Sequence, residues 1–257
     1  MEPHEAAVFD YRLSRDPLEY AASLLGATGT EWLLIDDGFP PPAESVNWRE
    51  LGELAGCASM PVMRLETSAP EAVATARADG FVALKTIAAY RGGLQELSDV
   101  VVGALEANAE TGDPLPVQVH TGFGDADLSL PLSRPGLLKP LIERFDTTPF
   151  VLLHCYPFVR EAGWLAHVYA NVWFDLSLTI PHVARPVTAL FEALELAPLS
   201  KLLYASDAAR TPELYFLGAT WWRDALAEVL EAFGEGEEAA RMILAENARR
   251  LYRLTTA

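Results

Sequence analysis

The sequence predicts an α/β fold, a parallel sheet covered by helices, and three observations carry that prediction. Seven short runs rich in β-branched and apolar residues recur along the chain. Each is followed by a polar turn and then by a stretch with helical periodicity. The runs are continuously apolar rather than alternating, as strands buried on both faces are, and strict alternation of strand with helix is the pattern of crossover units.

Taken in order, the chain opens with Ala6–Phe9, a short segment flanked by charges, and His4 before it falls in an end expected to be disordered. Pro17–Leu25 reads as a helix. The strand runs follow: Trp32–Asp36, Val62–Leu65, Phe81–Lys85, Val117–His120, Phe150–His154, Val172–Asp175 and Leu202–Ser206. Helix-like stretches between and after them include Gln95–Glu110, Leu137–Phe145, Val187–Leu196 and Pro212–Phe233, while the Pro-rich Phe39–Pro42 reads as a loop between strand and helix. A doubly wound nucleotide-binding sheet alternates in the same way, but it carries a glycine-rich phosphate loop after its first strand. Here Asp36-Asp37-Gly38-Phe39-Pro40 has one glycine and two carboxylates where phosphate would sit. The expected architecture is therefore a TIM-type (β/α) barrel in a single domain over residues 1–257. It is expected to be incomplete, with seven clear strands and a first strand that is absent or degenerate, Ala6–Phe9 being the one upstream candidate.

Composition narrows the function. With 51% hydrophobic residues in 257, the chain can bury a sizeable core, and no apolar run approaches the roughly 20 residues that cross a bilayer. The start, MEPHEAAVFDY, has neither the basic region nor the apolar stretch of a secretory signal, so a cytoplasmic protein without membrane partners is expected. A net charge of −17 without a basic stripe argues against nucleic acid. The two cysteines, Cys57 and Cys155, fit neither a disulfide framework nor a Cys-rich zinc module and are read as reduced, buried thiols.

In a barrel, the C-terminal strand ends converge on one mouth, and here those ends are polar. The third run ends in Lys85 (FVALKT), the fourth in His120 (VQVHTGFG), the fifth in His154 (VLLHCYPF), and the seventh leads into Asp207 (LLYASDA). A histidine ending one buried strand is commonly a hydrogen-bonded structural residue. Lys, His, His and Asp on four strands point instead to a shared site, because buried charges without partners are costly. Imidazole and carboxylate suit a catalytic divalent metal, so His120 and Asp207 are candidate ligands, His154 a group to polarise a carbonyl, and Asp207 a proton acceptor. Arg91, in AAYRGGL, is a candidate clamp for a substrate carboxylate or else a surface ion pair. Asp175 is read as a structural hydrogen-bonding residue, His167 as helical, His182 as a loop residue, and the tryptophans, including Trp221 and Trp222, as core or pocket wall.

The segments FVALKTIAAYRGGL, VQVHTGFGDADLSL, FVLLHCYPFVREAGWLAHVYANVWFDLSL, LLYASDAARTPELYFLGATWWRDAL and ENARRLYRL resemble the amidohydrolase-related family (amidohydrolase family 2). The branch is similar to the amidohydrolase domain found elsewhere fused to glutamine-synthetase-like domains. The resemblance implies a TIM-barrel hydrolase with a divalent metal, usually zinc, acting on C–N or related bonds of a small molecule. It places a metal-binding histidine at His120, an assisting histidine at His154, and a metal-binding, proton-moving aspartate at Asp207. Lys85 matches a position that in parts of the superfamily is a carboxylated lysine. The family's first strand normally ends in a His-x-His pair of ligands, and this sequence contains no such pair, so metal is expected to bind weakly.

Two readings stay open on these grounds: a metal-dependent hydrolase, or a weakened barrel that binds a small ligand or a protein; decarboxylase chemistry on the same architecture is a further alternative. Seven strands would leave two sheet edges unpaired, so a homo-oligomer is expected to shield the opening.

Overall fold

The computed structural model describes residues 3–36, 38 and 45–255. Seven parallel strands form one sheet in sequence order: β1 (Trp32–Ile35), β2 (Ala58–Arg64), β3 (Ala83–Thr86), β4 (Val117–Thr121), β5 (Phe150–His154), β6 (Val172–Asp175) and β7 (Leu202–Leu203). Among the described residues no ladder joins β7 back to β1, so the curled sheet is an incomplete TIM-type barrel.

Local signals set the helix ends. Asp16 caps Pro17–Gly26 by accepting from the Leu18 and Glu19 amides. Asn47 and Glu50 form a reciprocal capping box on Trp48–Ala55, and Ser98 caps Asp99–Glu110. The long helix Pro212–Phe233 starts on proline and stops at Gly234, whose φ of +73° suits a residue without a Cβ.

Alternation along each strand sorts side chains onto two faces. One face (Leu84, Val117, Val119, Phe150, Leu152, Phe174 and Leu202 among others) packs under the helices in the main core, with Trp222 fully buried beneath them. The other face lines the barrel interior with Leu34, Val62, Ala83, Val151, Leu153, Trp173 and Leu203. The C-terminal helix Asn247–Tyr252 adds Tyr252 to this inner cluster, and its hydroxyl accepts from Gln118 Nε2 at 3.1 Å. One step further along the strands the inner face turns polar, with Asp36, Arg64, Lys85, His120 and Asp175 in the next inward positions.

Several expectations from sequence need correction. Ala6–Phe9 is no strand, and His4 is in no disordered end: both lie in the helix Pro3–Leu13, where charged residues on an exposed segment satisfy i,i+4 backbone bonds without a sheet partner. The last strand stops at Leu203, because 204–206 find no ladder partner beyond β6. His182 ends a one-turn helix, Thr179–His182, rather than lying in a loop. Cys57 is half-buried and Trp221 exposed, while Cys155 and Trp222 are buried as expected. Phe39–Pro42 lies outside the described residues. No helix among the described residues is long and apolar enough to cross a membrane.

Candidate functional site

His120 enters the site because it occupies an inward position at the end of β4, next to Leu153 of β5 in register. Its residue is 6% exposed, and its ring lies between Tyr90 and His154, with centroids 4.7 Å and 4.5 Å away. Its Nε2, buried, has no hydrogen-bond partner. That nitrogen lies close to Gly124, where an added Cβ would come within 3.1 Å of it. Burial above all drives the imidazole from an ordinary 6.5 down to about 2, with His154 and Lys85 adding to the fall, so the ring is neutral.

His154 arrives differently. By strict alternation it would face the helices, but φ is +68° at both His154 and Cys155, and this left-handed pair of residues turns the chain at the strand end. Such backbone costs on the order of 1–3 kcal/mol per residue outside glycine and concentrates at functional sites. Asp207 shares the feature, with φ of +50°. His154 Nε2 comes within 3.8 Å of Asp207 Oδ2. Its Nδ1 lies 2.7 Å from Ser177 Oγ, and Ser177 in turn donates to Asp175 Oδ1 at 2.7 Å. Burial lowers His154 to about 3 and raises Asp175 to about 6, the latter against three hydrogen bonds that favour its charged form.

Asp207 follows the short β7, and its side chain stays 35% exposed. Desolvation by the surrounding walls raises its pKa, opposed by Lys85 and His182 and aided by Asp36 and Asp125. Lys85 is half-buried beside it, with Nζ 3.6 Å from Asp36 Oδ2. Asp36 also receives Arg64 through Nε at 3.1 Å and Nη2 at 2.5 Å, so one buried carboxylate is shared between two cations. The structure thus brings His120, His154, Asp207 and Lys85 to one end of the sheet. Arg91 stands exposed in the loop after β3, its guanidinium donating to the Tyr90 carbonyl at 3.4 Å.

Sequence reasoning missed Arg64, Tyr90 and Ser177. Arg64 had a signal, since it ends β2 at an inward position like Lys85 in β3. Tyr90 had one only in retrospect: its hydroxyl accepts from the Asp125 amide at 3.1 Å, and a Cβ on Gly124 would lie 1.9 Å from that oxygen. Gly124 is therefore the residue that lets the tyrosine reach His120.

A divalent metal is implied by the resemblance, and the donor set can be tested for it. Among the described residues no group of three or more His, Cys, Asp or Glu is arranged to hold a metal ion. His120 Nε2 and the Asp207 carboxylate are two donors where a catalytic zinc takes three from protein. The described residues do not by themselves make a catalytic zinc site.

The chain is similar to several known proteins. A family model described as Amidohydrolase (Amidohydro_2) matches residues 49–254. Over 161 residues the chain is 40% identical to Protein fluG of Emericella nidulans, a match covering 58% of this chain and 19% of that protein, so the chain spans about a fifth of the length of this relative. A candidate metal-dependent hydrolase from Lactobacillus casei, solved as a crystal structure, superposes with a TM-score of 0.83 at 30% identity, over 93% of this chain and 78% of that one. A TIM-barrel protein from Bordetella bronchiseptica aligns with a TM-score of 0.63 at 16% identity over 90% of this chain and 80% of its own, a likeness of fold.

Proposed function

Since the chain belongs to the amidohydrolase family, we propose that it is a hydrolase acting on a C–N or related bond of a small molecule at the C-terminal end of the sheet. The observation that carries this reading is the meeting of His120, His154 and Asp207, in which two neutral imidazoles pack against each other and His154 Nε2 comes within 3.8 Å of the carboxylate. Water is the second reactant. Donating to Asp207 and to His154 Nε2, it gains nucleophilic character, and as its oxygen bonds to the substrate carbon the released proton passes to that pair. Lys85 brings positive charge to the same end and is assigned to the oxyanion that forms there. Asp207 then returns the proton to the leaving nitrogen. Arg91, at the rim, is assigned to a carboxylate on the substrate.

The divalent metal of the family, zinc in the first instance, enters this reading as a weakly held group that needs donors beyond the described residues. The test is hydrolysis by the purified chain, with and without added zinc, across small amides, lactams and carbamates. Turnover is expected, and His154→Gln and Asp207→Asn should each lower kcat/KM by about a hundredfold or more, the scale of positioned acid–base groups. Binding of panel members without turnover would overturn the reading in favour of a binding barrel, and variants as active as the parent would overturn the roles given to His154 and Asp207.

A further inference from the structure

We propose that Ser177 and Asp175 are positioning residues that hold His154 in a single tautomer, Nδ1 protonated and Nε2 bare toward Asp207. The inference deepens the functional reading above and rests on it for its catalytic meaning, but the tautomer itself follows from hydrogen bonds alone.

Asp175 ends β6 at an inward position and is buried, as are Ser177 and His154. Its Oδ1 accepts three hydrogen bonds: from the His154 amide at 2.9 Å, from the Ser177 amide at 3.0 Å and from Ser177 Oγ at 2.7 Å. A carboxylate oxygen meeting three donors acts as an acceptor. The one hydroxyl hydrogen of Ser177 is thereby committed to Asp175. Ser177 Oγ lies 2.7 Å from His154 Nδ1, and with its hydrogen spent it can meet that nitrogen only as an acceptor. Nδ1 must then carry the proton, and a neutral imidazole protonated at Nδ1 has its lone pair on Nε2.

The surroundings hold the arrangement in place. Thr179 donates its hydroxyl to the His154 carbonyl at 2.6 Å, and the His154 amide is already held by Asp175, so the backbone of the histidine is pinned on both sides. Nε2 lies 3.8 Å from Asp207 Oδ2. Two acceptors facing each other attract a donor between them: a water, a substrate N–H or O–H, or a cation. The opposite tautomer would turn an N–H toward Asp207, close the pair on itself and leave Ser177 Oγ facing an unprotonated nitrogen. The chain order is readable in retrospect as Asp-x-Ser in FDLSL, whose serine reaches back across the sheet to the histidine of the preceding strand.

The experiment is two-dimensional ¹H–¹⁵N NMR of the imidazole nitrogens in the 257-residue chain labelled on histidine, with His154 assigned by His154→Gln. The expected parent spectrum has His154 protonated at Nδ1 alone. Ser177→Ala should relax that preference by about tenfold, the scale of one buried hydrogen bond, and Ser177→Thr, which keeps the hydroxyl, should restore it. Unfolding midpoints of both variants establish that they fold. A parent protonated at Nε2, or a folded Ser177→Ala variant with an unchanged His154 signal, would overturn the proposal. Hydrolysis measured on the same variants separates it from the functional reading: a kcat loss in Ser177→Ala with KM unchanged supports both. The predicted tautomer in a chain that hydrolyses nothing supports the positioning role and overturns the reading.

Discussion

Strands β4 to β6 and the edge strands β1 and β7 are built from similar apolar residues but differ in how they are covered or paired. All five residues of β5 are buried, whereas all four of β1 are only half-buried and β7 has two residues in its ladder. A central strand is covered by a neighbour on each side and by helices above, and an edge strand has one neighbour. The site follows the same division. His120, His154 and Asp175 sit on the covered side, each held by ring packing or several hydrogen bonds, while Asp207 follows the frayed β7 and stays partly open. The difference teaches that the orientation of the imidazoles is built into the packed half, and that the carboxylate completing the group is presented from the open half.

The largest expected effect tests packing. Phe150→Ala should cost about 3–5 kcal/mol, as truncation of a fully buried aromatic does, whereas Leu33→Ala in β1 should cost about 1 kcal/mol. Urea unfolding of the two variants checks this, and equal losses would break the comparison between centre and edge.

Acid titration sharpens it next. A buried imidazole whose folded-state pKa lies below its unfolded value contributes stability that is present above pH 6.5 and lost as pH falls through that value; this holds for His120 and for His154. Asp175, raised from 3.8 to about 6, acts in the opposite direction, since the folded state binds its proton more readily across that window. Between pH 6 and pH 4 the unfolded chain thus carries two of these protons and the folded chain one. These three groups together should lower stability by about 1.4 kcal/mol for each pH unit descended. His154→Gln removes one of the two imidazole contributions, leaving the other opposed by Asp175, and should flatten this part of the slope, measured as unfolding midpoints across that range.

A smaller effect isolates the approach of Tyr90. Gly124→Ala places a methyl group where the tyrosine hydroxyl lies, so Tyr90 should leave His120 and activity should fall about tenfold while the fold persists. An unchanged rate would show that the Tyr90 contact is packing alone. Smallest of all, Arg91→Ala should leave the unfolding midpoint within about 0.5 kcal/mol of the parent, because the side chain is exposed. If Arg91 meets a substrate carboxylate, KM rises severalfold with kcat unchanged; an unchanged KM removes it from the site.

Much of the sheet was legible because continuous apolar runs admit few alternatives: β5 and β6 start and stop where the pattern does. The polar strand ends Lys85, His120 and Asp175 were legible for the same reason, as hydrophilic residues closing hydrophobic strands. Ala6–Phe9 could be named only as a candidate strand because four residues are too few to distinguish a strand from a turn of helix, and the helix Pro3–Leu13 leaves the first strand absent, as expected. Ser177 and Tyr90 were invisible because their partners lie 23 and 30 positions away from them on neighbouring elements, separations read from His154 to Ser177 and from Tyr90 to His120.

By itself, the order of residues determined the alternation of strands and helices, the parallel sheet and the chemical types available at its ends, since these depend on local periodicity and on burial of whole runs. Tertiary structure alone decided which way His154 points, because its left-handed backbone overrides the alternation of the strand. It also decided which nitrogen of that ring is bare, because the answer rests on a carboxylate at the end of the next strand and a hydroxyl two residues beyond it. Side-chain type is a property of the chain; the direction of a lone pair is a property of what packs around it.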